Sequence, residues 1–353
     1  MNWPISIKRI RNVRLLSALL LACIVTSSCG LYYRTGIRLY YRKAEIPDER
    51  VVRDLAYAGP ASTPKQRLNL FLPTGKDWPA VLFVHGGNWD EGDRNLEVGG
   101  ADVYNNIGRF LATNGIAAAV MSYRLLPAVD WRTQITDVAA AARWLGENVG
   151  RHGGSSTCIF LMGHSAGAQL AVRAALDRAA GMPRVCGVIG VSGAGYDLTD
   201  RRTWDLGADE AWYARRFGGA AGWQQEASPI RFVSRDAPPF LILYAGGETK
   251  PLQRQSQLLH ETLVKAGARS ELVVVPGESH SRIVLTLSRP DKIAGPAILR
   301  FVRVAAKKGT ATFSEASDAE KVAVRFRGSL SFFGIFQVGV AGEPVFVELQ
   351  QAP

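Results

Sequence analysis

The chain has 353 residues, of which 47% are hydrophobic and 21% are charged. This composition excludes a disordered chain and provides for a large buried core, in one α/β domain or in two smaller domains. The formal net charge is +11, and residues 1–43 contain eight basic residues and no acidic residue. Such a basic arm suits an anionic membrane surface, and because the sequence shows no nucleic-acid-binding motif, we expect no nucleic-acid partner.

Residues 1–28 are the first predicted element, an export signal. A positive stretch precedes the apolar run 15–25, which is shorter than the about 20 residues that span a bilayer. The sequence TSSCG then places small residues before Cys29, which resembles a bacterial lipoprotein signal that is cleaved and lipidated at this cysteine. Gly30 resembles the residue that follows the cysteine in lipoproteins of the outer membrane. We therefore expect an exported protein anchored in the cell envelope, with an ordinary cleaved signal or an uncleaved short anchor as alternatives.

Beyond a basic linker at residues 29–50, strand and helix patterns alternate along the chain. Apolar or alternating runs predict eight strands, within residues 51–57, 66–73, 79–87, 115–125, 157–163, 185–193, 238–247 and 270–277. Helical patterns predict four helices, at residues 131–149, 166–178, 251–266 and 290–306. This alternation is typical of a mainly parallel sheet with helices on both faces, so we predict one α/β domain over residues 51–308.

Two further stretches do not follow this alternation. Residues 194–239 are rich in loops, with several aromatic residues and glycines. Residues 309–353 alternate like short antiparallel strands and form a C-terminal tail to which the sequence assigns no role.

The sequence GHSAG at residues 163–167 lies between a predicted strand and a predicted helix. In this context Gly-x-Ser-x-Gly is typical of a nucleophile elbow, a tight turn that exposes a serine hydroxyl at the start of a helix. Gly163 and Gly167 suit the turn because a side chain at either position would clash with the neighbouring backbone. We therefore predict Ser165 as a nucleophile, with an incidental serine in a glycine-rich turn as the alternative.

The sequence VHGGNWDEGD, which follows another buried strand, is the second candidate element. Attack on an ester carbonyl produces an oxyanion, which needs preorganised hydrogen-bond donors. Adjacent glycines let backbone N–H groups approach a substrate closely, so Gly86 and Gly87 are predicted donors, with Asn88 as a further candidate. The N–H of Ala166, the residue after the nucleophile, completes the predicted oxyanion hole.

A general base should follow the last strand, and of the five histidines His280 lies there. The other four are interpreted as loop braces or surface residues, namely His85, His152, His164 and His260. The acid that orients the base should lie between nucleophile and base in the chain. We predict Glu248, at the end of the strand before the last one. Asp197 is its rival, and Asp236 is a weaker one.

These features together resemble the α/β-hydrolase esterases over residues 51–306. The sequences HGGNWDEGD, SYRLLP, WRTQITDVAAAARWL and GHSAGAQL resemble the carboxylesterase group that includes acetyl and feruloyl-type esterases and kynurenine formamidases. The pair of glycines followed by Trp89, and the sequence GGETKPLQRQSQLL, are most similar to the formamidases. The resemblance implies an eight-stranded, mostly parallel sheet with a cap of inserted segments, here a small one formed by residues 194–239.

We predict a carboxylesterase that forms an acyl-enzyme on Ser165, with His280 as the base and Glu248 as the orienting acid. No metal or organic cofactor is expected. The expected substrate is a short-chain or aryl ester, and Trp89 and Tyr123 are candidate walls of its pocket, with Trp204 as a further candidate.

Two other classes remain open. An arylformamidase-like amidase would use the same three residues, although an exported enzyme would rarely meet a cytoplasmic tryptophan metabolite. A non-enzymatic surface lipoprotein on a hydrolase scaffold is the second alternative, and the intact set of Ser165, His280 and an acid argues against it.

The four cysteines show no metal-ligand spacing, so we expect no metal site. Cys158 and Cys186 open two strands that are neighbours in the resembled fold, and export would permit a disulfide between them. Side chains in register on parallel strands point the same way, not toward each other. We therefore expect two free buried thiols.

Overall fold

The computed structural model describes residues 37, 40–177, 181–310, 337–340 and 343–346. Eight strands, numbered here in chain order, form one sheet. They are β1 (Val51–Ala56), β2 (Arg67–Phe71), β3 (Trp78–Val84), β4 (Ala117–Met121), β5 (Gly154–His164), β6 (Gly187–Val191), β7 (Phe240–Ala245) and β8 (Ser270–Val275). A separate pair of two-residue strands, Glu97–Val98 and Ala101–Asp102, lies between β3 and β4.

The strands follow the order β1-β2-β4-β3-β5-β6-β7-β8 across the sheet. The first two are antiparallel to their neighbours, and the remaining six are parallel. The prediction of an eight-stranded, mostly parallel sheet is therefore confirmed. Since the parallel strands all end at one edge, the loops after β3, β5, β7 and β8 meet there, and these loops carry the candidate site residues.

Nine helices have both ends in the described part of the chain. They are α1 (Val103–Thr113), α2 (Trp131–Asn148), α3 (Ala166–Leu176), α4 (Arg201–Asp205), α5 (Glu210–Phe217), α6 (Trp223–Ala227), α7 (Lys250–Lys265), α8 (Arg282–Leu285) and α9 (Ala294–Thr310). Short 3-10 helices occupy Asp48–Arg50, Val149–His152 and Pro229–Phe232. The apolar faces of α2, α3 and α7 form one core cluster against the sheet, and those of α1 and α9 form a second one on the opposite face.

The cap, residues 194–239, contains three short α-helices and a 3-10 helix, although its sequence reads as loop. Aspartates begin two of its helices: Asp200 accepts a hydrogen bond from the Thr203 N–H (3.0 Å), and Asp209 accepts one from the Trp212 N–H (3.0 Å). Such N-caps stabilise helices that are too short to be stable alone. Aromatic rings of the cap then pack on one another and on Trp89, namely Trp212, Tyr213, Phe217 and Trp223.

The described part of the predicted basic linker packs against the domain. Ile37 is buried, and the Ala44 N–H donates to the Asn106 side chain on α1 at 2.7 Å. The Ser288 hydroxyl donates to the Arg42 carbonyl oxygen at 2.6 Å. The predicted signal at residues 1–28 and Cys29 lie outside the described residues. No helix within the described ranges is both long and apolar enough to cross a bilayer.

In the tail, Gln337–Val340 and Glu343–Phe346 pair as antiparallel strands. Their pairing agrees with the antiparallel pattern that the sequence indicates. The rest of residues 311–353 lies outside the described residues.

Cys158 and Cys186 form a disulfide bond, with their Cα atoms 5.4 Å apart. The prediction of two free thiols is therefore wrong. The pairing of β5 with β6 places Phe160 opposite Gly187, so the two cysteines are offset by one residue. Cys186 also lies just before β6 begins, where its side chain is not confined to the pleat.

Peptide mapping without reductant is expected to yield the Cys158 and Cys186 peptides joined to each other. The two Cα atoms lie within the range that a disulfide bridges. Cys158 is buried and Cys186 is partly buried. Mapping after reduction should release both peptides and serves as the control. Alkylation of both thiols in the denatured, unreduced protein would contradict the bond.

Candidate active site

Ser165 lies at the sharp turn between β5 and α3. Its φ of 54° and ψ of −122° place it in a backbone conformation that L residues rarely adopt. The two glycines of the motif make the turn possible. A Cβ on Gly163 would lie 2.3 Å from the Gly167 carbonyl oxygen, and a Cβ on Gly167 would lie 2.2 Å from the His85 carbonyl oxygen. The turn thus holds the serine at the N-terminus of α3, as the predicted elbow requires.

His280 and Glu248 reach Ser165 from the loops after β8 and β7. The distance between His280 Nε2 and Ser165 Oγ is 2.9 Å, and that between His280 Nδ1 and Glu248 Oε2 is 3.0 Å. The Glu248 side chain has no exposed surface, whereas 30% of the His280 side chain is exposed. The structure therefore brings the predicted nucleophile, base and acid into one hydrogen-bonded line.

The two rival acids lie elsewhere. Asp197 Oδ1 accepts hydrogen bonds from the N–H and the hydroxyl of Thr199, at 2.9 Å and 2.6 Å. Asp236 lies in the turn before β7, at the opposite edge of the sheet from His280. In the described residues, Glu248 is the carboxylate that contacts the His280 ring.

Two further histidines, both buried, pack beside the three site residues. The His164 Nε2–H donates to the His280 carbonyl oxygen at 2.9 Å, so His164 holds the backbone of the candidate base. The His85 ring is fully buried and stacks on Tyr123 with ring centroids 4.3 Å apart. Burial lowers the pKa of His85 to about 4, and burial together with the nearby His280 lowers the pKa of His164 to about 3. Both rings are therefore neutral at physiological pH, as the brace interpretation implies.

The free energy of unfolding is expected to fall as the pH drops below about 6.5, the ordinary pKa of histidine. Below that pH the unfolded chain binds two protons that the folded chain excludes until about pH 4 at His85 and about pH 3 at His164. Each histidine contributes a slope of at most about 1.4 kcal/mol per pH unit. Urea unfolding at pH 7 and at pH 5 measures the decline.

His164→Gln should make this decline shallower, because glutamine does not titrate. His152→Gln is the matched control, since His152 is exposed. An equally steep decline in the wild type and in the folded His164→Gln variant would contradict the assignment.

The loop after β3 lies directly beside the elbow. A Cβ on Gly86 would lie 3.2 Å from Ser165 Cβ. The predicted donors Gly86 and Gly87, and the further candidate Asn88, therefore lie on the loop beside the nucleophile.

The structure corrects the interpretation of Trp89 and Tyr123 as pocket walls. Trp89 is 1% exposed and Tyr123 is fully buried. The Trp89 indole N–H donates to Gln169 Oε1 at 3.1 Å, and the Tyr123 hydroxyl donates to the His85 carbonyl oxygen at 3.1 Å. They support the loop from the core side and offer no surface to a substrate. Trp204, in the cap, is partly buried and packs edge-on against Tyr213.

Comparisons with known proteins agree with this geometry. The BD-FAE family model matches residues 68–263, which is more than half of the chain. Esterase LipC of Mycobacterium tuberculosis is 30% identical over 240 residues, which cover 63% of this chain and 57% of that protein. Isoprenylcysteine alpha-carbonyl methylesterase ICME of Arabidopsis thaliana is 26% identical over 258 residues, which cover 67% of this chain and 58% of that protein. The chain thus spans less than two thirds of the length of either relative.

Among solved structures, esterase B from Lactobacillus rhamnosis is similar with a TM-score of 0.65 and 26% identity. The match covers 83% of this chain and 96% of that one. A structure of esterase B inhibited by a tributyrin phosphonate matches with a TM-score of 0.64. The strand order, the elbow and the family match lead to one conclusion: this chain belongs to the BD-FAE family of α/β-hydrolase carboxylesterases.

Proposed function

We propose that this protein is a serine hydrolase that cleaves carboxylic esters through an acyl-enzyme. The observation that carries the proposal is the line from Ser165 Oγ through His280 to the buried Glu248 carboxylate, with heavy-atom distances of 2.9 Å and 3.0 Å. A nucleophile, a base within hydrogen-bond reach and a group that orients the base are the parts that acyl transfer requires.

In the proposed reaction His280 Nε2 removes the proton from Ser165 Oγ, which attacks the ester carbonyl carbon. The Glu248 carboxylate accepts a hydrogen bond from the ring Nδ1–H, so that Nε2 is unprotonated and can take the proton of Ser165. The carboxylate also stabilises the imidazolium that forms. His280 then donates the proton to the departing alcohol oxygen. Water, activated by the same ring, attacks the acyl-enzyme and releases the acid.

The tetrahedral intermediates carry an oxyanion, which we place against backbone N–H groups. The candidates are Gly86, Gly87 and Asn88 on the loop after β3, and Ala166 at the first position of α3. The N–H groups at a helix N-terminus have no acceptor within the helix and favour negative charge. These backbone donors are fixed before reaction, so they stabilise the developing charge without reorganisation.

We propose a small ester as the substrate, in preference to an N-formyl arylamine. LipC and ICME are named as esterases, and one structure of esterase B is described as inhibited with a tributyrin phosphonate; tributyrin is a short-chain ester. The amidase alternative would use the same three residues, and a scaffold without activity would not need them in hydrogen-bond contact.

We also propose that the enzyme works outside the cytoplasm, anchored to a membrane through Cys29. The disulfide between Cys158 and Cys186 supports this proposal, because disulfides persist in oxidising compartments. The layout of residues 1–29 supports it independently.

The test is a panel of p-nitrophenyl esters, from acetate to octanoate, alongside N-formyl arylamines, with Ser165→Ala as the control. We expect the wild type to hydrolyse the acetate and butyrate esters fastest and the variant to be inactive. Faster turnover of the N-formyl arylamines would transfer the proposal to the amidase class. Equal background rates for the wild type and the variant would refute an enzymatic function on these substrates.

A further inference from the structure

Arg216, on cap helix α5, contacts the oxyanion loop, defined here as residues 86–92. Its Nε–H donates to the Asn88 carbonyl oxygen at 3.0 Å, and its guanidinium forms an ion pair with the Asp90 carboxylate. The guanidinium also lies over the Trp212 ring, 3.6 Å from the ring centroid. Only 17% of the Arg216 side chain is exposed, so these contacts are partly shielded from water. The cap and the oxyanion loop are thus joined by one side chain.

The oxyanion loop needs such support because its backbone conformation is energetically unfavourable. Gly87, Asn88 and Trp89 have consecutive positive φ angles of 125°, 53° and 67°. Residues other than glycine rarely adopt this conformation, and it persists only where the surroundings hold it.

Other contacts hold the loop from within and from the core. The N–H groups of Asp90 and Glu91 both donate to the Gly87 carbonyl oxygen, at 3.1 Å and 2.9 Å. Gln134 Nε2 donates to the Trp89 carbonyl oxygen at 2.7 Å. Arg216 holds the remaining side of the loop, which faces the cap.

We propose that Arg216 is a positioning residue for the oxyanion hole. By fixing the Asn88 carbonyl and the Asp90 carboxylate, it holds the loop directly after the Gly87 and Asn88 N–H groups, so that these two groups keep their direction toward the oxyanion. The inference rests on the proposed ester hydrolysis and adds that the cap takes part in it. A cap displaced from the domain would withdraw Arg216 and leave the loop less ordered.

Kinetics distinguish this role from a merely structural one. Oxyanion donors act mainly in the tetrahedral transition state, so their displacement lowers kcat more than it alters KM. We expect Arg216→Gln to lower kcat for p-nitrophenyl butyrate by about 10- to 100-fold, with KM changed by less than about threefold. The inhibition constant of a butyl boronic acid, which forms a tetrahedral adduct with the serine, should rise in parallel with the loss of kcat.

Arg132→Gln is the matched control. Arg132, on α2, forms an ion pair with Glu226 on cap helix α6 and lies over the Trp131 ring, 4.5 Å from its centroid. Like Arg216, it joins cap and domain by an ion pair and lies over a ring of its own helix, but it does not contact the oxyanion loop in the described structure. We expect Arg132→Gln to keep the wild-type kcat.

Asp90→Asn tests the same contact from the loop side and covers the case in which Arg216→Gln does not fold. It removes the charge of the ion pair and keeps the hydrogen bond to the Asn88 carbonyl, so we expect a smaller loss of kcat in the same direction. A wild-type kcat in folded Arg216→Gln or in folded Asp90→Asn would overturn the proposal, as would an equal loss in Arg132→Gln. A wild type no more active than Ser165→Ala would instead refute the ester hydrolysis itself.

Discussion

Ser165→Ala is expected to lower kcat for p-nitrophenyl butyrate by about 10⁴- to 10⁶-fold, with His280→Ala causing a loss of similar size. Ser165 Oγ is the atom that would carry the acyl group, and His280 Nε2, 2.9 Å away, is the base that would take its proton. Since the two residues act as one unit, the double variant should be little worse than either single variant. The measurement is steady-state hydrolysis, supported by covalent labelling with a phosphonate.

Two exposed residues of the same types serve as controls. Ser281 lies next to His280 in the chain, and His152 ends a 3-10 helix before β5. Ser281→Ala and His152→Ala should keep both the rate and the stoichiometric labelling. If Ser165→Ala kept more than about one hundredth of the wild-type rate, the nucleophile would have to lie elsewhere.

Glu248→Gln is the second large effect that we expect, a loss of about 10³- to 10⁴-fold in kcat. Glutamine has nearly the same shape, but its neutral amide neither stabilises the imidazolium nor selects the ring tautomer in which Nε2 accepts a proton. The Glu248 side chain is fully buried, so little water is available to screen its charge or to replace it. The loss should appear in kcat at every pH at which the wild type is active.

Asp197→Asn is the matched control for the acid. Asp197 binds the N–H and the hydroxyl of Thr199, and asparagine can keep one acceptor oxygen for these donors. We expect its kcat to stay within about threefold of the wild type, as is usual for a change outside the site. A severe loss in Asp197→Asn together with a nearly normal Glu248→Gln would move the role of the acid to Asp197.

The parts of the fold that the sequence predicts well are those with local signals. Each parallel strand is a continuous apolar run that ends in glycine or polar residues, and Gly-x-Ser-x-Gly occurs in its expected strand-to-helix context. Parallel strands end at one edge, so chain order alone places Ser165, Glu248 and His280 near each other. The distances among them come from the structure.

Other parts lack such signals. Helix α1 is absent from the sequence-based prediction because Asn105 and Asn106, which look like surface residues, are buried and hydrogen-bonded to other side chains. The short cap helices have too few residues to show a period, although Asp200 and Asp209 are recognisable N-caps.

Side-chain direction and strand register are the remaining gaps. Trp89 and Tyr123 follow strand ends near the site, but proximity in sequence does not tell whether a ring points to the core or to a pocket. For Cys158 and Cys186, a shift of one residue between neighbouring strands decides whether the sulfur atoms meet. The shift depends on packing across the whole sheet and so cannot be read from either strand alone.

The disulfide also makes the nucleophile part of a covalent ring. The two cysteines are separated by 28 positions, and the chain between them contains Ser165 and the whole of α3. When this segment opens transiently, its two ends stay joined beside the sheet, so reclosure returns the serine to the same place. In the unfolded chain a ring of this size lowers the conformational entropy by an amount worth about 3 to 4 kcal/mol at 25 °C. The stability of the segment that carries Ser165 therefore depends on the redox state of the compartment in which the chain folds.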